Sequence, residues 1–123
     1  MNIVLWVIQV LLSLVFLMAG AVKTFVPLAT VRKRLPWAKH FPAWVVRFVG
    51  ISELLGALGL ILPGITHIAP LLTVAAAVGL VLVMILAAIY HAPRREFSSV
   101  GSNIILLLLA AFIVVGRLLW LPL

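Results

Sequence analysis

Two ionisable side chains, Lys23 and Glu53, stand inside long apolar segments and are the first candidates for chemistry. Glu53 follows Trp44 by nine residues, which along an α-helix is about 14 Å and therefore close to the middle of a bilayer. A charged side chain at that depth costs at least about 2.5 kcal/mol, so Glu53 must face a bundle interior, carry a proton or have a partner. This carboxylate suggests proton exchange or ligand binding; its structural alternative is a buried ion pair that locks the bundle.

The partner of Glu53 has two candidates. Lys23 precedes Pro27 by four residues, so it lies only about 6 Å below the membrane surface. This is the same surface as the one near Trp44, from which the depth of Glu53 was taken. Its ammonium either snorkels to water or reaches inward to Glu53. Lys23 is the partner that we favour, and Arg47, at a similar level, is the alternative.

Further polar and small residues share helical faces with these two and together predict a narrow polar cavity. The candidates for ligand binding or proton exchange are Lys23, Glu53, Arg47, Tyr90, His91, Asn103, Gln9 and Ser13. The glycines on these faces, which allow helices to approach closely, are Gly20, Gly50 and Gly56. Polar residues near helix ends add little to the free energy of membrane insertion, and Gln9 and Ser13 are suited to interhelical hydrogen bonds. Each of these residues therefore also has a purely structural interpretation.

The sequence contains no self-contained catalytic motif, and catalytic residues are unknown. It has no Cys, which excludes disulfides, thiolate metal sites and a Cys-x-x-Cys redox centre for this chain acting alone. His40, His67 and His91 are far apart in the sequence, so we expect no metal site. An electron-transfer role would require a cofactor or a partner from elsewhere.

Four apolar segments must position the candidate side chains. They run at about 3–25, 44–62, 68–91 and 103–121, and each approaches the roughly 20 residues that a helix needs to cross a bilayer. Charged residues make up 9% of the chain, against about 25% in soluble domains. The runs are continuous rather than alternating, which favours helices over strands. The sequence therefore predicts one all-α domain over residues 1–123, a bundle of four transmembrane helices.

The first run could also be taken for a signal peptide. No Lys or Arg precedes it, so we expect a membrane helix there instead.

The connections between the spans carry most of the basic residues and indicate an orientation. Pro63 and Gly64 predict a tight turn after the second span, and that connection has no Lys or Arg. The basic residues of the first and third connections are Arg32, Lys33, Arg34, Lys39, Arg94 and Arg95. The positive-inside rule puts these connections in the cytoplasm and both termini outside.

Topology and anionic lipid headgroups then account for the net charge of +7 better than binding to nucleic acid, for which no motif is present. Arg117, near the opposite end, is expected to snorkel outward.

The stretch from Pro27 to Leu35 predicts a short helix lying on the membrane between the first two spans. Leu28, Val31 and Leu35 are spaced three and four residues apart, while basic residues cover the other directions. The aromatic residues expected at headgroup level are Trp37, Phe41 and Trp44.

Two motifs resemble those of the DoxX-like family of small four-helix membrane proteins. They are Ala-Gly-x-x-Lys at residues 19–23 and Gly-x-x-Glu-Leu-x-Gly at residues 50–56, with Leu35-Pro36-Trp37 between them and a similar fourth helix from Asn103 to Arg117. The likeness covers nearly the whole chain. It implies a four-helix membrane bundle, and the family takes its name from a subunit associated with thiosulfate:quinone oxidoreductase. No catalytic assignment is carried over to these positions.

Two functions follow as hypotheses. The first is an accessory or small-molecule-binding subunit of a membrane redox system, with a quinone-like ligand beside Glu53 and Lys23. The alternative is a structural or assembly factor that binds another membrane protein, or a second copy, through small-residue faces such as Gly50–Gly56 and 75–79. A minimal transporter ranks below both. The resemblance implies an inner bacterial membrane.

Overall fold

Continuous apolar segments form helices here because a helix satisfies its own backbone hydrogen bonds where no water is present. The computed structural model describes residues 2–122. Its five α-helices are α1 (Asn2–Phe25), α2 (Leu28–Arg34), α3 (Ala43–Thr66), α4 (Leu71–His91) and α5 (Phe97–Val115). Short 3₁₀ turns cover Pro36–His40 and Ala92–Arg94, and a π-helical segment, Gly116–Trp120, extends α5. Residues 2–122 contain no strand, so the predicted all-α class is confirmed.

Four helical spans are long and apolar enough to cross a membrane, as the sequence predicts. They cover Asn2–Phe25, Ala43–Thr66, Leu71–Arg94 and Phe97–Trp120, each of 24 residues. At about 1.5 Å per residue, each exceeds the roughly 30 Å of bilayer hydrocarbon. The most extensive packing is between α1 and α3, followed by α4 with α5 and α3 with α4.

The predicted turn at Pro63 and Gly64 is wrong, because α3 continues through both residues to Thr66. The chain reverses instead around His67 and Ala69, whose φ angles are 58° and 47°. Pro63 removes only one backbone hydrogen bond, and neighbouring helices in a membrane bundle tolerate that loss. Both Pro63 and Gly64 are buried inside the bundle.

Close contact between α1 and α3 depends on two glycines. A Cβ on Gly20 would lie 2.7 Å from the carbonyl oxygen of Gly50, and one on Gly50 would lie 2.6 Å from Thr24 Oγ1. Real Cβ atoms do not approach neighbours this closely, so the backbones meet only because both side chains are absent. This crossing brings Lys23, one turn beyond Gly20, beside Glu53, one turn beyond Gly50.

The short helix α2 lies where the sequence predicts it, with Pro27 immediately before its first residue. Val31 is its buried residue and packs with Ala38 and Val46, so α2 and the following 3₁₀ turn fold against the start of α3. Lys33 and Arg34 on the other side are exposed. The connection is therefore a packed part of the bundle end and not a free loop.

Candidate functional site

Lys23 and Glu53 form an ion pair inside the bundle. Lys23 Nζ donates to Glu53 Oε1 at 2.5 Å, and the side chains are 14% and 2% exposed. The long lysine side chain runs inward, which removes the difference in depth expected from the two sequence positions. Lys23 Nζ also lies 5.6 Å from the ring centroid of Trp37, in the first connection. The favoured pairing is therefore present, and the ammonium has a carboxylate on one side and an indole face on the other.

Arg47, the alternative partner, instead caps α1. Its Nη1 donates to the carbonyl oxygens of Lys23, Thr24 and Val26 at 2.9, 2.9 and 2.8 Å. The last carbonyls of a helix have no intrahelical donor and carry partial negative charge. Arg47 thus fixes the end of α1 and the backbone of Lys23, and it does not line the cavity described next.

A cavity of about 360 Å³ lies beside the ion pair. Its lining residues are Lys23, Trp37, Phe41, Val45, Phe48, Val49, Ser52, Glu53, Val83, Met84, Leu86, Ala87, Tyr90, His91 and Asn103. Most of these side chains are apolar or aromatic, and a few polar groups converge among them, which is the usual composition of a small-molecule site. Phe48 and Leu86, on α3 and α4, are 65% and 67% exposed. The cavity therefore opens sideways between these two helices, on the surface that faces lipid in a membrane.

Asn103, one of the lining residues, carries an unsatisfied donor. Its Nδ2 is enclosed and has no hydrogen-bond partner among the described residues. A buried amide without a partner costs about 1–3 kcal/mol. A ligand with an acceptor oxygen would satisfy it.

Tyr90 and His91 form the rim of the cavity with the first and third connections. The Tyr90 ring lies 5.4 Å from the Phe41 ring, and the guanidinium carbon of Arg94 lies 3.8 Å from its centroid. His91 Nδ1 and Glu96 Oε2 are 3.1 Å apart. The contact between Phe41 and Tyr90 shows that the two basic connections meet at the same end of the bundle.

Gln9 and Ser13, also candidates from the sequence, do not lie at this cavity. Gln9 Nε2 donates to Leu60 O at 2.6 Å, and Ser13 Oγ donates to Ala57 O at 2.8 Å. Both are hydrogen bonds from α1 to the backbone of α3. These residues therefore hold α1 against α3, which is the interhelical hydrogen-bonding role given above as the alternative to ligand binding.

The expectation that Arg117 snorkels outward is wrong. Its side chain is 3% exposed and points into the bundle. Arg117 Nε donates to Gln9 Oε1 at 2.7 Å, and Nη1 donates to Asn2 Oδ1 at 2.7 Å. Arg117 follows the buried residues Ile113 and Ala110 by four and seven positions, so it continues the inward face of α5 into the π-helical segment Gly116–Trp120. Gly116 also packs on Leu5 so closely that a Cβ would lie 2.5 Å from Leu5 Cδ2. Arg117 thus meets α1 at close range instead of water.

The basic residues of the connections are mostly on the surface. Arg32 is the exception, since it donates to Ala38 O at 3.4 Å and to Phe41 O at 3.2 Å and so braces the first connection. The exposed ones are Lys33, Arg34, Lys39, Arg94 and Arg95. Among residues 2–122, no group of three His, Asp or Glu side chains could hold a metal ion.

The two small-residue faces have different surroundings. Gly50 packs against Lys23 and Thr24, and Gly56 packs against Leu80, so this face is used inside the bundle. On α4, Ala75 and Gly79 are exposed, and nothing lies within 4 Å of the Cβ position of Gly79. Only the α4 face is therefore open to another chain.

The sequence pattern of the DoxX-like family matches residues 7–113. The chain belongs to the DoxX-like family. Both motifs of the resemblance, at 19–23 and 50–56, fall inside the match, and in this DoxX-like chain they form the α1–α3 crossing that holds Lys23 against Glu53. No curated protein and no solved structure shows significant similarity to it.

Several cavity residues were missed by reasoning from the sequence. Val45, Phe48, Val49 and Ser52 lie at i, i+3, i+4 and i+7 of α3 and line the cavity together. That spacing was open to detection as one helical face. Trp37 was not detectable in this way, because its position depends on how the 3₁₀ turn folds back on α3.

Proposed function

We propose that this protein binds an amphipathic small molecule with a quinone-like head group in the cavity beside Lys23 and Glu53. The observation that carries the proposal is that Asn103, whose Nδ2 is unpartnered, lines the same cavity as the ion pair. Two polar groups, the Asn103 amide and the Lys23 ammonium, are then available to two acceptor oxygens. The remaining lining is apolar or aromatic, which suits an aromatic or quinoid ring.

The sideways opening supports a ligand that comes from the bilayer. Phe48 and Leu86 at the opening are exposed and apolar, so an apolar tail can pass between α3 and α4 while the head group stays inside. A water-soluble metabolite has no apolar tail that could make favourable contacts at this lipid-facing opening. A membrane quinone has the required head and tail.

We infer an accessory role rather than catalysis by the chain alone. The chain has no Cys, and a quinone reaction needs an electron donor, which a partner protein of a membrane redox system would supply. Glu53 is close enough to the ligand space to exchange a proton with a bound head group. In this reading the protein holds and orients the ligand for its partner.

Binding of a short-chain ubiquinone analogue to the purified protein tests the proposal. Quinones quench indole fluorescence, and Trp37 lines the cavity. We expect saturable quenching that is weakened about fivefold by Asn103→Leu, which is the loss of one neutral hydrogen bond of about 1 kcal/mol. Ala87→Phe fills the cavity and should abolish binding.

Two control variants separate the cavity from the rest of the bundle. Ser13→Ala removes a polar side chain outside the cavity, and Val78→Phe adds an aromatic ring on the exposed side of α4. Both should bind as the unchanged protein does. Quenching that is linear in quinone, or unaltered in Ala87→Phe, would remove the proposal.

We also propose the orientation and location that the basic connections favour. The exposed basic residues lie at the cavity end, and the positive-inside rule puts that end in the cytoplasm of a bacterial inner membrane with both termini outside. Since the chain has no Cys, single replacements report cleanly. An impermeant thiol reagent on intact cells should label His67→Cys and spare Lys33→Cys, and the reverse pattern would invert the orientation.

The alternative function is assembly with another membrane protein through α4. It is favoured by the open surface at Ala75 and Gly79, since small exposed residues allow close helix contact in lipid. Pull-down in mild detergent should then recover a stoichiometric partner that Gly79→Leu releases. Recovery of the protein alone under all conditions counts against this alternative.

A further inference from the structure

The end of the bundle opposite the cavity contains a buried cation, Arg117, which has no acidic partner among residues 2–122. The chain has only two acidic side chains, Glu53 and Glu96. Both lie at the cavity end, where they bind Lys23 and His91. No side chain of this protein can therefore neutralise Arg117. The described groups that surround its guanidinium are neutral: Gln9, Asn2, the carbonyl of Leu121 and the Trp6 ring.

One nitrogen of this guanidinium is also unused. Arg117 Nη2 is enclosed and has no hydrogen-bond partner among residues 2–122. Buried charges in proteins are normally paired, and an intramembrane cation that is not paired is costly. A bound anion would supply both the missing charge and the missing acceptor.

An apolar groove on α1 begins at the same place. It has a volume of about 360 Å³ and is lined by Asn2, Ile3, Trp6, Val7, Val10 and Leu11. Asn2 and Trp6 at its head are also in contact with Arg117, through the Asn2 Oδ1 hydrogen bond and a ring centroid 5.5 Å from the guanidinium carbon. From Asn2 to Leu11 the groove runs about 14 Å along the helix, roughly the depth of one leaflet.

We propose that this groove binds one phospholipid, with its phosphodiester on Arg117 and an acyl chain along α1. Arg117 lies three residues before the end of the span at Trp120, about 5 Å from the headgroup region. The phosphate approaches between Asn2 and Trp6, and the Trp6 ring rotates to open Nη2. A phosphodiester fits because it is anionic and its oxygens can accept from the two unused N–H groups of Nη2, which is a charge-assisted hydrogen bond. The apolar groove is what favours a lipid over free inorganic phosphate.

Native mass spectrometry of the purified protein with added dioleoylphosphatidylglycerol tests this site. We expect a one-to-one adduct that resists activation in the unchanged protein. Arg117→Gln should weaken it at least about tenfold, since a charge-assisted pair is lost, and Arg117→Lys should retain part of it. Lys33→Gln removes an exposed charge at the other end and should leave the adduct unchanged.

A second variant keeps the test valid if Arg117→Gln fails to fold. Val7→Trp fills the groove without touching the guanidinium and should also release the lipid, whereas Val78→Trp, of equal bulk on α4, should not. Dioleoylglycerol, which has the chains without the phosphate, should give no stable adduct. The proposal is overturned if Arg117→Gln or Val7→Trp retains the lipid, if dioleoylglycerol binds equally well, or if inorganic phosphate alone occupies the site.

Discussion

The ion pair between Lys23 and Glu53 should contribute measurably to stability, and its two halves should contribute unequally. Removing one partner of a buried pair costs about 3–5 kcal/mol because the other charge stays without compensation. Lys23→Met leaves a carboxylate that is 2% exposed, whereas Glu53→Ala leaves an ammonium that is 14% exposed and next to Trp37. We therefore predict a loss of about 4–5 kcal/mol for Lys23→Met and about 3 kcal/mol for Glu53→Ala.

Glu53→Gln separates charge from shape at the same position. The amide oxygen can still accept the hydrogen bond from Lys23, so we predict a smaller loss of about 1–2 kcal/mol. The double variant Lys23→Met with Glu53→Gln should lose less than the sum of the single variants, with a coupling of about 1–3 kcal/mol.

Unfolding by sodium dodecyl sulfate in mixed micelles, followed by far-ultraviolet circular dichroism, measures these free energies. Lys33→Met is the matched control, since Lys33 is exposed and its replacement should change stability by less than about 0.5 kcal/mol. A coupling near zero, or equal stability of all variants, would refute the buried pair.

Two further predictions concern the residues that position the pair. Arg47→Gln removes the charged donor to two carbonyls of α1 and to that of Val26 just after it, and it should cost about 1.5–3 kcal/mol in the same assay. Its control is exposed Arg34→Gln, and equal effects would contradict the cap. Gly50→Ala puts a Cβ within 2.6 Å of Thr24 and should separate α1 from α3, whereas Gly79→Ala, with open space around it, should be neutral. If Gly50→Ala proves as stable as Gly79→Ala, the close crossing is absent.

The fold follows largely from patterns that are local in sequence. Apolar length alone identifies the four spans, and the three- and four-residue spacing of Leu28, Val31 and Leu35 identifies α2. The end of α3 cannot be predicted from local sequence. Proline usually ends a helix, but Pro63 is tolerated inside α3 because it is buried against neighbouring helices. A turn residue in a membrane bundle therefore predicts a turn less reliably than it does in water.

The candidate site is predictable only in part, for a similar reason. Depth in the bilayer singles out Glu53, and the reach of a lysine side chain suggests its partner. Three other candidates from the polar helix faces, Arg47, Gln9 and Ser13, donate instead to backbone carbonyls. The end of α1 and the crossing of α1 with α3 both require hydrogen-bond donors, and spacing in the sequence does not distinguish such donors from cavity residues. Arg117 is misjudged because its nearness to the end of the span suggests snorkelling, whereas its spacing of seven and four residues from buried Ala110 and Ile113 continues the inward face of the helix.

Native mass spectra of the protein, extracted in mild detergent from the membrane that makes it, test the cavity most directly. We predict a bound quinone mass in the unchanged protein and in Ser13→Ala, reduced in Asn103→Leu and absent in Ala87→Phe. A protein without any quinone in all four spectra would contradict a ligand site beside Lys23 and Glu53.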